Sequence, residues 1–366
     1  MAKVLMKGCE AIGEAAVRAG CRNFFGYPIT PQTEVPEYLA KRFPEVGGEF
    51  VQAESEVAAI NMLYGGAGVG KRVLTTSSSP GISLMAEGLS YIAACELPIV
   101  LVNIVRAGPG LGGILPAQSD YHQATRGIGH GDFKLIVLAP SSVQEAVDLI
   151  YMAFDLADKW RNPVMVMGDG MIGQMMEPVD FPEMVNVSKL PKKEWAADGA
   201  RGRGPNIINS LFLNEVALND HNFRLKAKYD RIEAEERRHE TWGTDGDMDV
   251  LVVAYGTMAR IVKTGLTEFR EAGGRAGLFR PISLWPFPHR ELGAVARKAK
   301  RVLAVEMSTG QILDDVRLSV GLNKKVDFFG KTGGMVPTPD DVLEQLRALT
   351  AKKPAKKPAK KKGRSK

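Results

Sequence analysis

Short, wholly apolar runs alternate along this chain with stretches whose apolar residues recur at helical spacing. The clearest run is Leu97–Val105 (LPIVLVNIV), nine residues with almost no polar interruption. Such continuity predicts a parallel strand buried on both faces. Shorter runs at 24–27, 72–76, 133–139, 164–167, 248–254, 278–284 and 302–305 predict further strands. Between them, Lys3–Ala19 places Ala11, Ile12, Ala15 and Ala16 at helical spacing and predicts a first helix ending near Gly20. Gln32–Phe43 predicts a helix with Pro31 in its first turn. A small-residue helix opens at Glu56, Ser142–Leu156 reads as an amphipathic helix capped by Ser141 or Ser142, and Met258–Ala272 as another. Strands alternating with helices of this length predict a doubly wound α/β fold.

The alternation breaks between Asp180 and Asp247, a polar stretch in which Asp220–Arg238 (DHNFRLKAKYDRIEAEERR) reads as a charged, exposed helix. The chain therefore divides into a first α/β domain over 1–190, a polar linker over 191–247, a smaller α/β domain over 248–349 and a tail over 350–366. A length of 366 residues accommodates two such domains.

Composition adds limits. Hydrophobic residues make up 45% of the chain, enough for sizeable cores, yet no apolar run approaches a membrane span. The N-terminus is too short and broken to read as a signal peptide, so a cytoplasmic location is expected. The net charge is +6, of which Ala351–Lys366 contributes +9, so the other 350 residues sum to −3. The basic character belongs to the tail. Its KKPAKKPAKKKGRSK sequence cannot bury a core, is expected to be disordered, and could attract a polyanion. Cys9, Cys21 and Cys95 lack C-x-x-C spacing and cannot together hold an iron–sulfur cluster, which takes four thiolates.

The chemistry concentrates between Glu54 and Gly81. Glu56 opens the helix rich in small residues, Arg72–Thr76 follows as a strand, and T-S-S-S-P-G (Thr76–Gly81) leads into the next helix. Hydroxyls and Pro are common helix-start residues, and a Glu at a helix start suits the macrodipole. Upstream, Tyr27-Pro28-Ile29-Thr30-Pro31 holds a Thr between two prolines, which either makes a stiff loop or fixes its hydroxyl for use. Downstream, Arg106 ends the Leu97–Val105 strand, where an α/β sheet presents its ligand loops.

In this order the segments resemble the alpha subunit of 2-oxoacid:ferredoxin oxidoreductases. G-Y-P-I-T-P, E-S-E-V-A-A and a T-S-x-P-G-like turn carry the resemblance, which extends over about Lys3–Leu349. It implies a thiamine diphosphate pyrimidine-binding domain followed by a smaller transketolase C-terminal-like domain. It also implies oxidative decarboxylation of a 2-oxoacid with coenzyme A, giving acyl-CoA, carbon dioxide and electrons for ferredoxin. In that family a Glu bonds the aminopyrimidine and favours its imino tautomer, a role that falls on Glu56. Burial is expected to help that carboxyl hold a proton. Glu54 is the competing carboxylate. The same resemblance assigns Thr30 a place near substrate and cofactor, and Arg106 the substrate carboxylate.

Three other motifs are weaker. Gly108–Gly113 is glycine-rich after a strand, but Ile114–Gln118 does not open a helix, so a loop over the site fits better than a dinucleotide turn. His122 and His130 fit either proton shuttles or ordinary loop hydrogen bonds. Gly168-Asp169-Gly170 imitates the start of a magnesium–diphosphate motif, but Val187–Pro205 contains no Asn to complete it. It reads as a strand-exit turn. The resemblance therefore places Mg2+, the diphosphate half of the site and [4Fe-4S] clusters on beta and gamma partners, with a small ferredoxin-like delta subunit also envisaged. Within the family the sequence is closest to the 3-methyl-2-oxobutanoate subgroup, with 2-oxoglutarate the near rival and pyruvate further off. A non-redox thiamine enzyme and a polyanion-binding scaffold are the readings from other classes.

Overall fold

The computed structural model describes residues 3–351, so the expected disorder of the basic tail lies outside the described residues. The strands are β1 (Val4–Lys7), β2 (Asn23–Gly26), β3 (Glu49–Gln52), β4 (Val73–Ser77), β5 (Val100–Val105), β6 (Ile136–Leu138) and β7 (Val164–Asp169). They continue with β8 (Met176–Val179), β9 (His239–Trp242), β10 (Met248–Val253), β11 (Ala276–Pro281), β12 (Ser283–Trp285), β13 (Ala299–Glu306) and β14 (Val326–Gly330). A seven-stranded sheet runs β12-β6-β7-β5-β4-β2-β3, and a five-stranded sheet runs β14-β13-β10-β11-β9.

The predicted apolar run becomes the centre of the larger sheet. Every residue of β5 is buried at the centre of the sheet, where β4 and β7 pair with it in parallel on either side, with Val102 opposite both Thr76 and Val166. One group of helices, Gly8–Arg18, Glu34–Val46 and Val143–Trp160, packs together against this sheet. The helix Glu56–Gly68 packs on β2, β4 and the helix Ala86–Ala94. Small residues make that approach possible: a Cβ on Gly88 would sit 2.6 Å from Ile60 Cγ2, and one on Gly66 would sit 2.9 Å from the Phe25 ring.

Several expectations are corrected. The helix expected over Lys3–Ala19 begins only at Gly8, because Val4–Lys7 pairs antiparallel with β8 as a separate ribbon. Its partner lies far along the chain, beyond the reach of local periodicity. The strand expected over 278–284 is two strands in different sheets. β11 belongs to the second sheet, whereas β12 crosses back and pairs antiparallel with β6 of the first. The charged helix, observed over Glu215–Glu235, is less exposed than expected. His221, Leu225, Tyr229 and Ile232 form a buried seam along it, and the last three join the first domain's core. After it, β9 pairs antiparallel with β11.

These exchanges bind the two α/β units together. Arg280 on β11 reaches Glu145 of the first unit with both guanidinium nitrogens, at 2.8 Å each. Gln118 bridges to the second unit through Tyr255 and Met307. That bridge lies just beyond the ligand-facing ends of β4 and β5, so the second unit helps hold the loops there.

Candidate active site

The two carboxylates of A-E-S-E separate cleanly. Glu54 is exposed, whereas Glu56 is 5% exposed at the first position of its helix. Ser55 caps that helix by accepting from Ala58 N at 3.2 Å. The cap therefore does not need Glu56, and no hydrogen bond to the Glu56 carboxylate is found among the described residues. Neither of its oxygens is among the fully buried, unpartnered atoms, so the carboxylate keeps an edge open to a ligand. Glu56 faces the turn after β4: a Cβ on Gly81 would lie 2.6 Å from Glu56 Oε1 and 2.1 Å from Ser77 Oγ. Only glycine fits beside this carboxylate. The hydroxyls of Thr75, Ser77 and Ser78 along the same strand exit are buried and unpartnered as well. Unspent polar groups around a glycine-lined carboxylate fit an aminopyrimidine-like ring, which offers N–H donors to an acceptor.

Thr30 and Arg106 meet. Arg106, 7% exposed at the end of β5, donates through Nη1 to Thr30 O at 3.0 Å and through Nη2 to Leu111 O at 3.3 Å. Its Nε is buried and has no partner. The Thr30 side chain is exposed, held by a loop that Gln32 anchors. The fully buried Gln32 accepts from Thr76 Oγ1 at 2.5 Å and donates to Tyr27 O at 3.2 Å, so the Y-P-I-T-P loop is tied across the top of β4.

The turn under Glu56 and the strand end carrying Arg106 share one residue. Ser79 Oγ donates to Asp120 Oδ2 at 2.7 Å and accepts from Arg106 N at 3.1 Å, and Ser79 N donates to Asn103 Oδ1 at 3.2 Å. Asn103 Nδ2 in turn donates to the same Asp120 oxygen at 3.0 Å. Sequence reasoning found no role for Ser79, Asn103 or Asp120, because they sit on three separate loops and strand ends.

The remaining motifs resolve as follows. His122, on the short helix Tyr121–Arg126, bonds Gln311 O of the second unit at 2.9 Å through Nε2, and His130 is exposed with its ring edge-on to Tyr91. Asp169 caps the short helix Gly170–Gln174 by accepting from Met171 N at 2.9 Å, so Gly168–Gly170 is a strand exit. Gly108–Gly113 is an exposed loop that folds back on β5, Gly113 N bonding Ala107 O at 2.9 Å. The three cysteines are buried free thiols, and burial raises the pKa of each. No described helix is long and apolar enough to cross a membrane.

Comparison with known proteins agrees with this geometry. Residues 14–241 match the family model described as pyruvate flavodoxin/ferredoxin oxidoreductase, thiamine diP-bdg, and residues 248–342 match pyruvate:ferredoxin oxidoreductase core domain II. The ketoisovalerate oxidoreductase subunit VorB of Methanothermobacter thermautotrophicus is 47% identical over 95% of this chain and 98% of its own. The 2-oxoglutarate synthase subunit KorA of the same organism is 37% identical over 93% of this chain and 97% of its own. The solved 2-oxoglutarate:ferredoxin oxidoreductase of Magnetococcus marinus superposes with a TM-score of 0.83 at 26% identity, covering 95% of this chain and 65% of that one. The chain therefore belongs to the 2-oxoacid:ferredoxin oxidoreductases, as a subunit that carries the family's thiamine-diphosphate-binding domain within a multi-subunit enzyme.

Proposed function

We infer that this chain is the alpha subunit of an enzyme that oxidatively decarboxylates a branched-chain 2-oxoacid, 3-methyl-2-oxobutanoate first among them. Coenzyme A takes the acyl group and ferredoxin the electrons. The observation that carries the reading is Glu56: buried, without a donor, and closed in by Gly81. Thiamine diphosphate, when bound, supplies the carbanion equivalent that such a decarboxylation requires. Glu56 would hold the aminopyrimidine by accepting its ring N–H, and would hold or release a proton at that oxygen. Arg106 would orient the substrate carboxylate. Its partnerless Nε and its Nη2, held only by the 3.3 Å bond to Leu111 O, form one side of the guanidinium fork, which suits bidentate pairing. Thr30, already in contact with Arg106, would line the same position.

The choice of substrate rests on the cleft beside Thr30. It encloses about 500 Å3 and is lined by Thr30, Pro31, Thr33, Glu34, Glu37, Ile114, Leu115, Pro116, Gly170 and Gln174. Ile114 and Leu115 are 59% and 56% exposed, apolar surface that an alkyl branch would cover. Neither Arg106 nor Glu56 lines this cleft, so it would take the alkyl end of the substrate and not its carboxylate. The greater identity to the ketoisovalerate subunit than to the 2-oxoglutarate subunit supports the same choice.

Partner subunits, beta and gamma with a ferredoxin-like delta, would supply Mg2+, the diphosphate site and the iron–sulfur clusters. Asp169, spent on a helix cap, and the dispersed, buried cysteines suit that division. A cytoplasmic location and the division of the chain near residues 190 and 248 belong to the same reading. The test is to purify the complex from its native cells, measure thiamine and iron, and follow viologen reduction with coenzyme A and three oxoacids. The expected result is a kcat/KM for 3-methyl-2-oxobutanoate at least about tenfold above that for 2-oxoglutarate or pyruvate. A preference for 2-oxoglutarate would overturn the substrate assignment, and a complex without thiamine or iron would overturn the function.

A further inference from the structure

We propose that Asp120 is a positioning residue of this active site, acting through the Ser79 hydroxyl to hold the Arg106 strand end and the turn beside Glu56 in one arrangement. The inference rests on the roles given above to Glu56 and Arg106.

Ser79 is the residue under strain. Its φ is +24° and its ψ −79°, a backbone conformation that residues bearing a Cβ seldom adopt, and it is one of three non-glycine residues with positive φ among those described. Such a conformation persists only where its surroundings over-determine it. Here they do so through Asn103 Oδ1 on the Ser79 amide and Asp120 on its hydroxyl. Two residues further on, Gly81 leaves space for the Glu56 carboxylate, so the shape of this turn decides what Glu56 faces.

The hydroxyl has a single proton and two acceptors within reach: Asp120 Oδ2 at 2.7 Å and Arg106 O at 3.2 Å. The carboxylate is the closer and the stronger acceptor, so it takes the proton. That leaves a hydroxyl lone pair for the Arg106 amide at 3.1 Å. Without Asp120 the hydroxyl is free to rotate toward Arg106 O, and the amide loses its acceptor. The strand end then shifts under the guanidinium that is to receive the substrate carboxylate.

Asp120 is itself fixed from the far side. It is 9% exposed, and burial raises its pKa against the opposing hydrogen bonds from Asn103 and Ser79. Its neighbour Tyr121 donates to the buried Asp315 of the second unit at 2.5 Å, and Gln118 bonds the second unit through Tyr255 O at 3.0 Å. Asp120 therefore carries the placement of the second unit into the substrate corner, although it touches neither substrate nor cofactor.

The test uses the whole purified complex with Asp120→Ala, Asp120→Asn, Ser79→Ala and Glu56→Gln variants of this subunit. A substrate-positioning role predicts that Asp120→Ala raises KM for the oxoacid by about 30-fold or more while KM for coenzyme A stays within about twofold. Asp120→Asn keeps an acceptor oxygen for both donors and is expected to restore the oxoacid KM to within about threefold. Thiamine diphosphate affinity, read by fluorescence titration, weakens with Asp120→Ala because the turn beside Glu56 moves. The Ser79→Ala, Asp120→Ala double variant is expected to fall short of the product of the two single effects, since both break the Ser79–Asp120 bond. An oxoacid KM unchanged in Asp120→Ala, with Glu56→Gln inactive, would overturn this inference and leave the function standing. Loss of assembly, or both KM values rising together, in Asp120→Ala and Ser79→Ala alike would overturn it in favour of a merely structural role. A fully active Glu56→Gln would instead overturn the function on which the inference rests.

Discussion

Each α/β unit buries a glutamate near the ligand-facing end of its sheet, and the two have opposite surroundings. Glu306, at the end of β13, is fully buried, and both its oxygens accept from Ile312 N, at 3.1 and 3.2 Å. Burial pushes its pKa up to about 7, against the Ile312 amide and the Ser308 hydroxyl. Glu56 is nearly as buried, yet no donor reaches it among the described residues and only a glycine fits beside it. Glu306 is spent on closing its own turn, whereas Glu56 remains free to accept from a ligand. Burial does not by itself mark a working carboxylate; unspent hydrogen-bonding capacity does.

Substitutions can break this contrast. Glu56→Gln is expected to lower kcat of the assembled enzyme by about 10³-fold, while Glu54→Gln, in the exposed neighbour, stays within about twofold. Steady-state viologen reduction with each variant checks both. Arg106→Lys keeps the charge but loses the fork, and is expected to raise KM for the oxoacid by about 100-fold. Gly81→Ala would press a methyl group on Ser77 Oγ and Glu56 Oε1, and is expected to cost about tenfold in kcat/KM. Titration of thiamine diphosphate into the same variant checks whether the loss begins at cofactor binding.

The Glu56 side of this contrast was legible in the sequence, and the Glu306 side was not. The choice of Glu56 over Glu54 followed from where the small-residue helix begins, and the structure separates the two by exposure in the same sense. The apolar run of β5 declared its burial because a strand covered on both faces has no polar side to show. What stayed hidden depends on residues far apart in the chain. Val4–Lys7 reads as helix until Met176–Val179 is placed beside it. β12 reads as the end of β11 until Leu138 is seen opposite Ser283. The Ser79, Asn103 and Asp120 cluster joins three segments, and no spacing rule links them.

The smallest expected effect on turnover lies at Glu306. Its folded-state pKa is above the ordinary 4.5, so between 4.5 and about 7 the folded chain holds more protons than the unfolded one. Its stabilising contribution is therefore full below that window and lost as pH rises through it, a change on the order of 2–3 kcal/mol. Glu306→Gln removes the titration. Urea unfolding of the two chains is expected to show the variant gaining relative to wild type from pH 5 to pH 8, with turnover of the complex near wild type. An unchanged difference across that range would remove Glu306 from the comparison.

The central claim is that Glu56 activates the cofactor, and proton exchange at the thiazolium C2 of bound thiamine diphosphate reports on that step alone. Measured by quenched-flow deuterium exchange in the wild-type and Glu56→Gln complexes, exchange is expected to slow by about 10³-fold in the variant with the cofactor still bound. Exchange at the wild-type rate in a loaded Glu56→Gln complex would contradict the account.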